Sequence, residues 1–315
     1  MKEIFSVHSP GPYTTIQDSG RYDYAHMGVP VSGVLDDFAF TCANLLVGNN
    51  QDQPVLEITF YGPQFDVLDH ADIALTGADM SLTINGRISP QWQSLRVNKG
   101  DHVSIGQASS GCRGYLAVTG GFAVAPVMGS CSTYVAGGIG GIKGRELRKG
   151  DTLKRGQGSL LQQSRQMPWF PLYSREIHVR AVSGPQDECF KRGLDMFFNS
   201  TYTVTDKANR MGYRLEGPVI HRDARAPESI ISEPSIHGNI QVPPDGQPIL
   251  LMVEQTIGGY TKIATIITPD LFKIGQAKPG DRIVFHRVTL EEAHNIYKEW
   301  SAIRKKLENS FTLEN

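Results

Sequence analysis

"LTINGRIS", Leu82 to Ser89, sets an Asn-Gly pair between two β-rich flanks. Asn85 and Gly86 both tolerate the positive φ angles of a two-residue turn, so the stretch predicts a β-hairpin. The same pattern extends outward. Short apolar runs recur between turn residues: "VLEITF" (Val55 to Phe60), "ADIALTG" (Ala71 to Gly77), "GYLAVTGGF" (Gly114 to Phe122), "EIHVRAV" (Glu176 to Val182) and "PILLMVE" (Pro248 to Glu254). Several alternate apolar and polar residues, the period of a half-buried strand. A turn phrase also repeats, in "NKGDHVSIG" (Asn98 to Gly106), "RKGDTLKRG" (Arg148 to Gly156) and "KPGDRIVFH" (Lys278 to His286). "GPQF" from Gly62 is echoed by "GPQD" from Gly184. These echoes hint at a duplicated architecture.

Helices are few. "LDDFAFTCANLLVG" offers Asp36 as N-cap, Phe38, Cys42 and Leu45 at helical spacing, and Gly48 as a stop. "QDECFKRGLDMFF" sets Phe190, Leu194 and Phe197 on one face. In "TLEEAHNIYKEWSAIRKKL", Thr289 and Glu292 form a capping box ahead of a stripe of Leu290, Ala293, Ile296, Trp300, Ile303 and Leu307. Strands outnumber helices, which predicts a mainly β barrel or sandwich class with peripheral helices.

At 315 residues the chain exceeds what one hydrophobic core usually serves, so two domains are expected. The stretch "LQQSRQMPWFPLYS" (Leu161 to Ser174) is polar, then proline-bearing, and reads as the linker. A net charge of -1 argues against nucleic acid as a partner. The scattered cysteines Cys42, Cys112, Cys131 and Cys189 suggest reduced thiols in a cytoplasmic protein rather than a zinc or disulfide framework. No apolar span is long enough to suggest a membrane helix, and the N-terminus does not read as a signal peptide.

Several chemistries are excluded. "GGIGGIKGRELRKGD" (Gly137 to Asp151) has Lys143 where a dinucleotide fingerprint needs its third glycine, and no phosphate loop exists anywhere. There is no serine elbow and no pair of histidines at metal-binding spacing, so no metal is expected. No biotinylation site is present, so the chain does not carry biotin itself.

Three polar clusters remain. The first, Thr14 to Asp37, holds Asp18, Arg21 and His26. The second, "NRMGYRLEG" from Asn209, holds Arg210 and Arg214. The third, Ile231 to Lys262, ends in "EQTIGGYTK". Guanidinium forks beside carboxylates suit a small anionic or amide substrate, and surface ion pairs at loop ends are the plainer alternative.

In order along the chain, "SPGPYTTIQDSGR", "GVPVSG", "CRGYLAVTGGF", "GGIGG", "GNIQVPPDGQPI" and "QTIGGYTKIATII" resemble one family, that of the C subunit of 5-oxoprolinase, allophanate hydrolase subunit 2 and KipA, the biotin-dependent carboxyltransferase family. The resemblance implies tandem cyclophilin-like β-barrels: an N-terminal domain over 1–165, a C-terminal domain over 175–288, and a helix and tail over 289–315. It implies two partners, an ATP-using A subunit together with a KipI-like B subunit. ATP is then used by the partner, and no cofactor is held by this chain. In the carboxyltransferase alternative, carboxybiotin comes from a partner. A third reading is a KipA-like regulator that neutralises its KipI-like partner. The family usually has Thr and Pro where this chain has Ile257 and Thr261, and its acid stands one place further from the glutamine than Glu254 does from Gln255.

Gly258 and Gly259 would let the backbone turn tightly at a strand end and leave amides accessible. Glu254, Gln255, Tyr260 and Lys262 are then the candidate catalytic residues, with Lys262 meeting negative charge developing on an oxygen. Asp18, Arg21, His26, Arg210, Arg214, Gln241, Gly258 and Gly259 are candidate substrate-binding residues. A β-bulge without chemistry is the alternative.

Overall fold

The structure, a computed structural model, describes residues 1–312; the tail expected beyond them lies outside the described residues. The chain divides into two compact units. One comprises Met1–Tyr22, Ser32–Tyr173 and the described residues from Ser310 onward; the other comprises Asp23–Val31 and Ser174–Asn309.

The first unit is a curled nine-stranded sheet. Its strands are β1 (Lys2–Ser9), β2 (Tyr13–Gln17), β3 (Val55–Thr59), β4 (Gln64–Val67), β5 (Ala71–Ile84), β6 (Arg87–Ser89), β7 (Ser94–Val97), β8 (His102–Val118) and β9 (Thr152–Arg155). They run in the order β2-β3-β8-β4-β1-β9, and the long β5 pairs with β6, β7 and β8. Ile4, Phe5, Leu56, Phe65, Leu75, Leu116 and Val118 fill its core, with the Phe5 and Phe65 rings stacked at 4.8 Å. Each such side chain contributes roughly 1.5–3 kcal/mol by leaving water.

Helix α1 (Asp37–Leu46) begins where Asp36 accepts the Ala39 N–H at 2.8 Å, the N-cap read from the sequence. It is buried from Phe38 to Leu46, more than an amphipathic stripe requires. The residues read as a linker explain this. Trp169 stacks on Phe38 at 5.1 Å, Phe170 stacks on Trp92 at 5.1 Å, and the Tyr173 hydroxyl donates to Asp36 Oδ2 at 2.7 Å. Residues 161–173 are thus packed against the first unit.

The second unit is a closed barrel in the order β10-β17-β14-β15-β12-β11-β18. Its strands are β10 (Glu176–Ser183), β11 (Thr201–Ala208), β12 (Gly212–Glu216), β14 (Asn239–Val242), β15 (Ile249–Leu251), β17 (Thr261–Ile266) and β18 (Arg282–Arg287). A separate ribbon pairs β13 (Glu233–Pro234) with β16 (Ile257–Gly258). The first and last barrel strands are parallel neighbours, from Glu176 opposite Arg282 to Ala181 opposite Arg287. Phe197 and Phe285 stack at 4.6 Å in the core. Phe197 lies on α2 (Arg192–Phe198), while Phe190 precedes that helix, separated from it by Lys191 at φ 43.

Helix α3 (Leu271–Gly275) supplies Phe272, which stacks on Trp300 of α4 (Leu290–Thr312) at 5.6 Å. The capping box forms in both directions: Thr289 N–H donates to Glu292 Oε2 at 2.7 Å, and Glu292 N–H to Thr289 Oγ1 at 3.2 Å. The expected stripe holds at Ala293 and Leu307 but not at Leu290 or Ile303, which are exposed. The covered line advances by three or four residues through Ala293, Ile296, Trp300, Arg304 and Leu307, and Ile303 lies off it.

The hairpin at Asn85-Gly86 forms with φ 53 and 75, and Ile84 pairs with Arg87. The repeated phrase is one turn built three times. Asp101, Asp151 and Asp281 each accept the backbone N–H three residues earlier, at 2.7, 2.8 and 3.1 Å. Gly100, Gly150 and Gly280 sit at φ 93, 85 and 86. Each donates its N–H to a valine carbonyl, that of Val67, Val7 or Val204. A methyl group at Gly100 or Gly150 would meet nothing within 4 Å. Alanine at either position therefore carries only the backbone cost, about 1–2 kcal/mol. The unfolding free energy from urea titration should fall by that amount with unchanged slope; unaltered midpoints would show that the turns relax freely.

Candidate functional site

Lys262 lies near the start of β17, whose ladder with β14 has a register shift between Ile240 and Gln241. A bulge of this kind re-aims side chains. Here Gln241 comes opposite Lys262. The Lys262 side chain is only 3% exposed. Its Nζ donates to Glu233 Oε1 at 2.6 Å and to the Pro234 carbonyl at 3.2 Å. An ammonium has three N–H donors, so one remains beyond these acceptors. Glu233, on β13, also accepts from Gln186 Nε2 at 3.0 Å. The Lys262 ammonium, with help from Gln186, holds the Glu233 carboxyl below the usual carboxylate range, against a smaller opposing effect of burial.

Gly258 stands opposite Glu233 in the ribbon. A methyl group there would fall 2.2 Å from Gln241 Nε2. A larger residue would displace the end of the Gln241 side chain, and the dihedrals set no demand of their own, because neither Gly258 nor Gly259 has positive φ. Four buried polar atoms in the framing segments have no hydrogen-bond partner among the described residues: Ser235 Oγ, His237 Nε2, Gln241 Nε2 and Thr261 Oγ1. Buried polar groups are nearly always paired, so such a concentration marks a place where a ligand or water supplies the partners.

Beside this, Arg210 Nε donates to Glu254 Oε1 at 2.6 Å, and both side chains are buried. The Glu254 N–H also donates to the Arg210 carbonyl at 2.9 Å. Burial, and secondarily the charge of Arg210, push the His237 imidazole down to about 4. The unfolded chain then binds a proton below about pH 6.5 that the folded chain refuses. This contribution to stability is complete above pH 6.5 and is lost as pH falls through 4. His237→Phe should flatten the fall in denaturation midpoint between pH 6.5 and 4; a slope equal to that of the parent would assign the fall to other groups.

The remaining sequence candidates stand elsewhere. Gln255 turns its Nε2 back onto the Ile257 carbonyl, and Tyr260 is 38% exposed. Arg214 points to the outer, exposed side of β12, because Tyr213 and Leu215 take the buried side. His26 lies exposed on a single 3-10 turn, Ala25–Met27. In the first unit Asp18 accepts from Ser130 Oγ at 2.6 Å, Ser132 Oγ at 2.5 Å and the Cys131 N–H at 2.5 Å. Arg21 donates to the carbonyls of Val127 at 2.9 Å and Ser132 at 2.8 Å. Both organise the 127–132 loop. Glu233 and Gln186 were not singled out by the sequence, and His237 reads there as a loop or structural histidine; the "GPQ" echo was the one signal that pointed at Gln186.

Among the described residues no group of three or more His, Cys, Asp or Glu could hold a metal ion. No helix among them is long and apolar enough to cross a membrane.

Residues 27–287 match the family model for the carboxyltransferase domain, subdomains A and B. The chain is 39% identical over 296 residues to the C subunit of 5-oxoprolinase from Escherichia coli, covering 92% of this chain and 93% of that one. It is 32% identical to urea amidolyase of Saccharomyces cerevisiae, covering 96% of this chain but 17% of that much longer protein. The crystal structure of the K. lactis urea amidolyase superposes with a TM-score of 0.89 at 30% identity, over 99% of this chain and 20% of that one.

Proposed function

Because the chain belongs to the carboxyltransferase family of subdomains A and B, we propose that it is a subunit of an ATP-dependent 5-oxoprolinase complex. Its partners in this reading are an ATP-using A subunit together with a KipI-like B subunit. The observation that carries the reading is the near end-to-end match to the C subunit of a 5-oxoprolinase. The urea amidolyases also match across nearly the whole of this chain but devote only a small part of their length to this module.

Opening a lactam moves negative charge onto the amide oxygen. The free N–H of Lys262 and the unpaired Nε2 of Gln241 are donors fixed in advance on one side of the ladder, and such fixed donors stabilise developing charge without reorganising. The Lys262 ammonium is sealed while the Glu233 side chain is 38% exposed, so the open approach is from the Glu233 side. The neutral imidazole of His237 adds a polar edge that carries no charge.

The match to urea amidolyases favours one second reading, transfer of a carboxyl group from a partner's carboxybiotin to an amide nitrogen. The same donors would then face the oxygen of the acceptor. Reconstitution separates the two. With the ATP-using and KipI-like partners present, adding this chain should switch on ATP-dependent formation of glutamate from 5-oxoproline. No glutamate, with bicarbonate-dependent carboxylation of urea in the presence of a biotin carboxylase and carrier, would move the assignment to the second reading.

A further inference from the structure

The ladder between β10 and β17 runs through Ser183 opposite Ala264 and then stops. Pro185 has no N–H to offer, so the next residues cannot continue it. The chain instead makes the turn Gly184-Pro185-Gln186 against the backbone of β17. Gly184 N–H donates to the Ile263 carbonyl at 2.8 Å, and a methyl group at Gly184 would fall 2.2 Å from the Lys262 carbonyl oxygen. Gln186 completes the contact with both main chain and side chain. Its N–H reaches the Lys262 carbonyl at 3.4 Å, and its Oε1 accepts the Lys262 N–H at 3.0 Å. Its Nε2 donates to Glu233 Oε1, the oxygen that also holds the Lys262 ammonium.

We propose that Gln186 is a positioning residue whose side chain stands in for the missing strand partner and fixes Glu233 and Lys262 relative to one another. This rests on the reading of Lys262 as the group that meets substrate. One amide ties the main chain of Lys262 to the carboxylate that holds its side chain, so the ammonium is constrained from both ends. The related turn in the first unit lacks this arrangement. There Gly62 also packs tightly, a methyl group falling 2.3 Å from Ile105 Cγ2, but Gln64 simply enters β4 opposite Ser104. The echoed sequence gives a shared close-packed corner, and only the second copy carries the bridging amide.

Gln186→Met keeps the length and removes both side-chain hydrogen bonds. On the isolated chain, the Glu233 carboxyl followed by carbon NMR should titrate at higher pH in this variant, and the Lys262 amide should exchange faster. In the assembled complex, kcat on 5-oxoproline should fall about tenfold with KM within about twofold, and the acidic limb of the pH profile should move up. Gln64→Met should leave all of these at the parent's values. Gln186→Glu, which keeps the acceptor but sets a second carboxylate beside Glu233, should raise the Glu233 titration further and serves if the Met variant does not fold. An unmoved Glu233 titration, or full kcat in an assembled Gln186→Met complex, overturns the proposal. A parent complex inactive on 5-oxoproline, with the titration shift present, would remove the substrate assignment and leave the positioning role standing.

Discussion

Lys262→Met should lower turnover of the assembled complex by about a hundredfold or more while leaving assembly intact. Methionine matches the length of the side chain and removes its charge. The loss is large because the ammonium is sealed from solvent, held at 2.6 Å by Glu233, and still has a donor to give. The fall should be in kcat, since a group that acts on charge formed during the reaction contributes little to binding the ground state. If the chain were only a regulator of its partner, the same variant would alter partner affinity at most. Measuring partner affinity and turnover on one preparation decides the matter. Turnover within about twofold of the parent, at full assembly, removes Lys262 from the reaction.

Glu254→Ala is expected to be strongly destabilising. It leaves the Arg210 guanidinium, 6% exposed in its side chain, without its 2.6 Å carboxylate. Removing one partner of a buried ion pair costs about 3–5 kcal/mol, whereas replacing both by apolar groups of similar volume is often neutral. The double variant Arg210→Met with Glu254→Leu should therefore recover most of the loss. Chemical denaturation of the two variants beside the parent tests this. A Glu254→Ala midpoint shift worth under about 1 kcal/mol would mean that water reaches the pair.

Much of the local structure was legible because its cause is local. Asn85-Gly86, the three Gly-Asp turns, the Asp36 cap and the Thr289–Glu292 box each depend on residues within about four positions of one another. The site was only half legible. Lys262 and Gln241, which stand opposite one another, were both candidates from the sequence, but Glu233 and Gln186 stand 29 and 76 residues from Lys262 and meet it only through the ribbon and the corner after β10. Arg214 stands apart from these residues. Its flanks, Tyr213 and Leu215, already fix the buried side of the strand, so alternation alone assigns Arg214 to the other. The close approach of Gln241 to Gly258 comes from another strand, which no backbone rule reveals.

The parallel pairing of β10 and β18 gives the barrel a mechanical property. The chain enters it at Glu176, at the head of β10, and leaves at Arg287, at the foot of β18. Tension between these two points pulls the neighbouring strands past one another along their length. The ladder from Glu176–Arg282 to Ala181–Arg287 is then loaded in shear, all its hydrogen bonds together, instead of opening one at a time from an end. A machine that unfolds proteins by drawing in the chain from its C-terminal side meets that clamp as the first strand of the barrel it must extract.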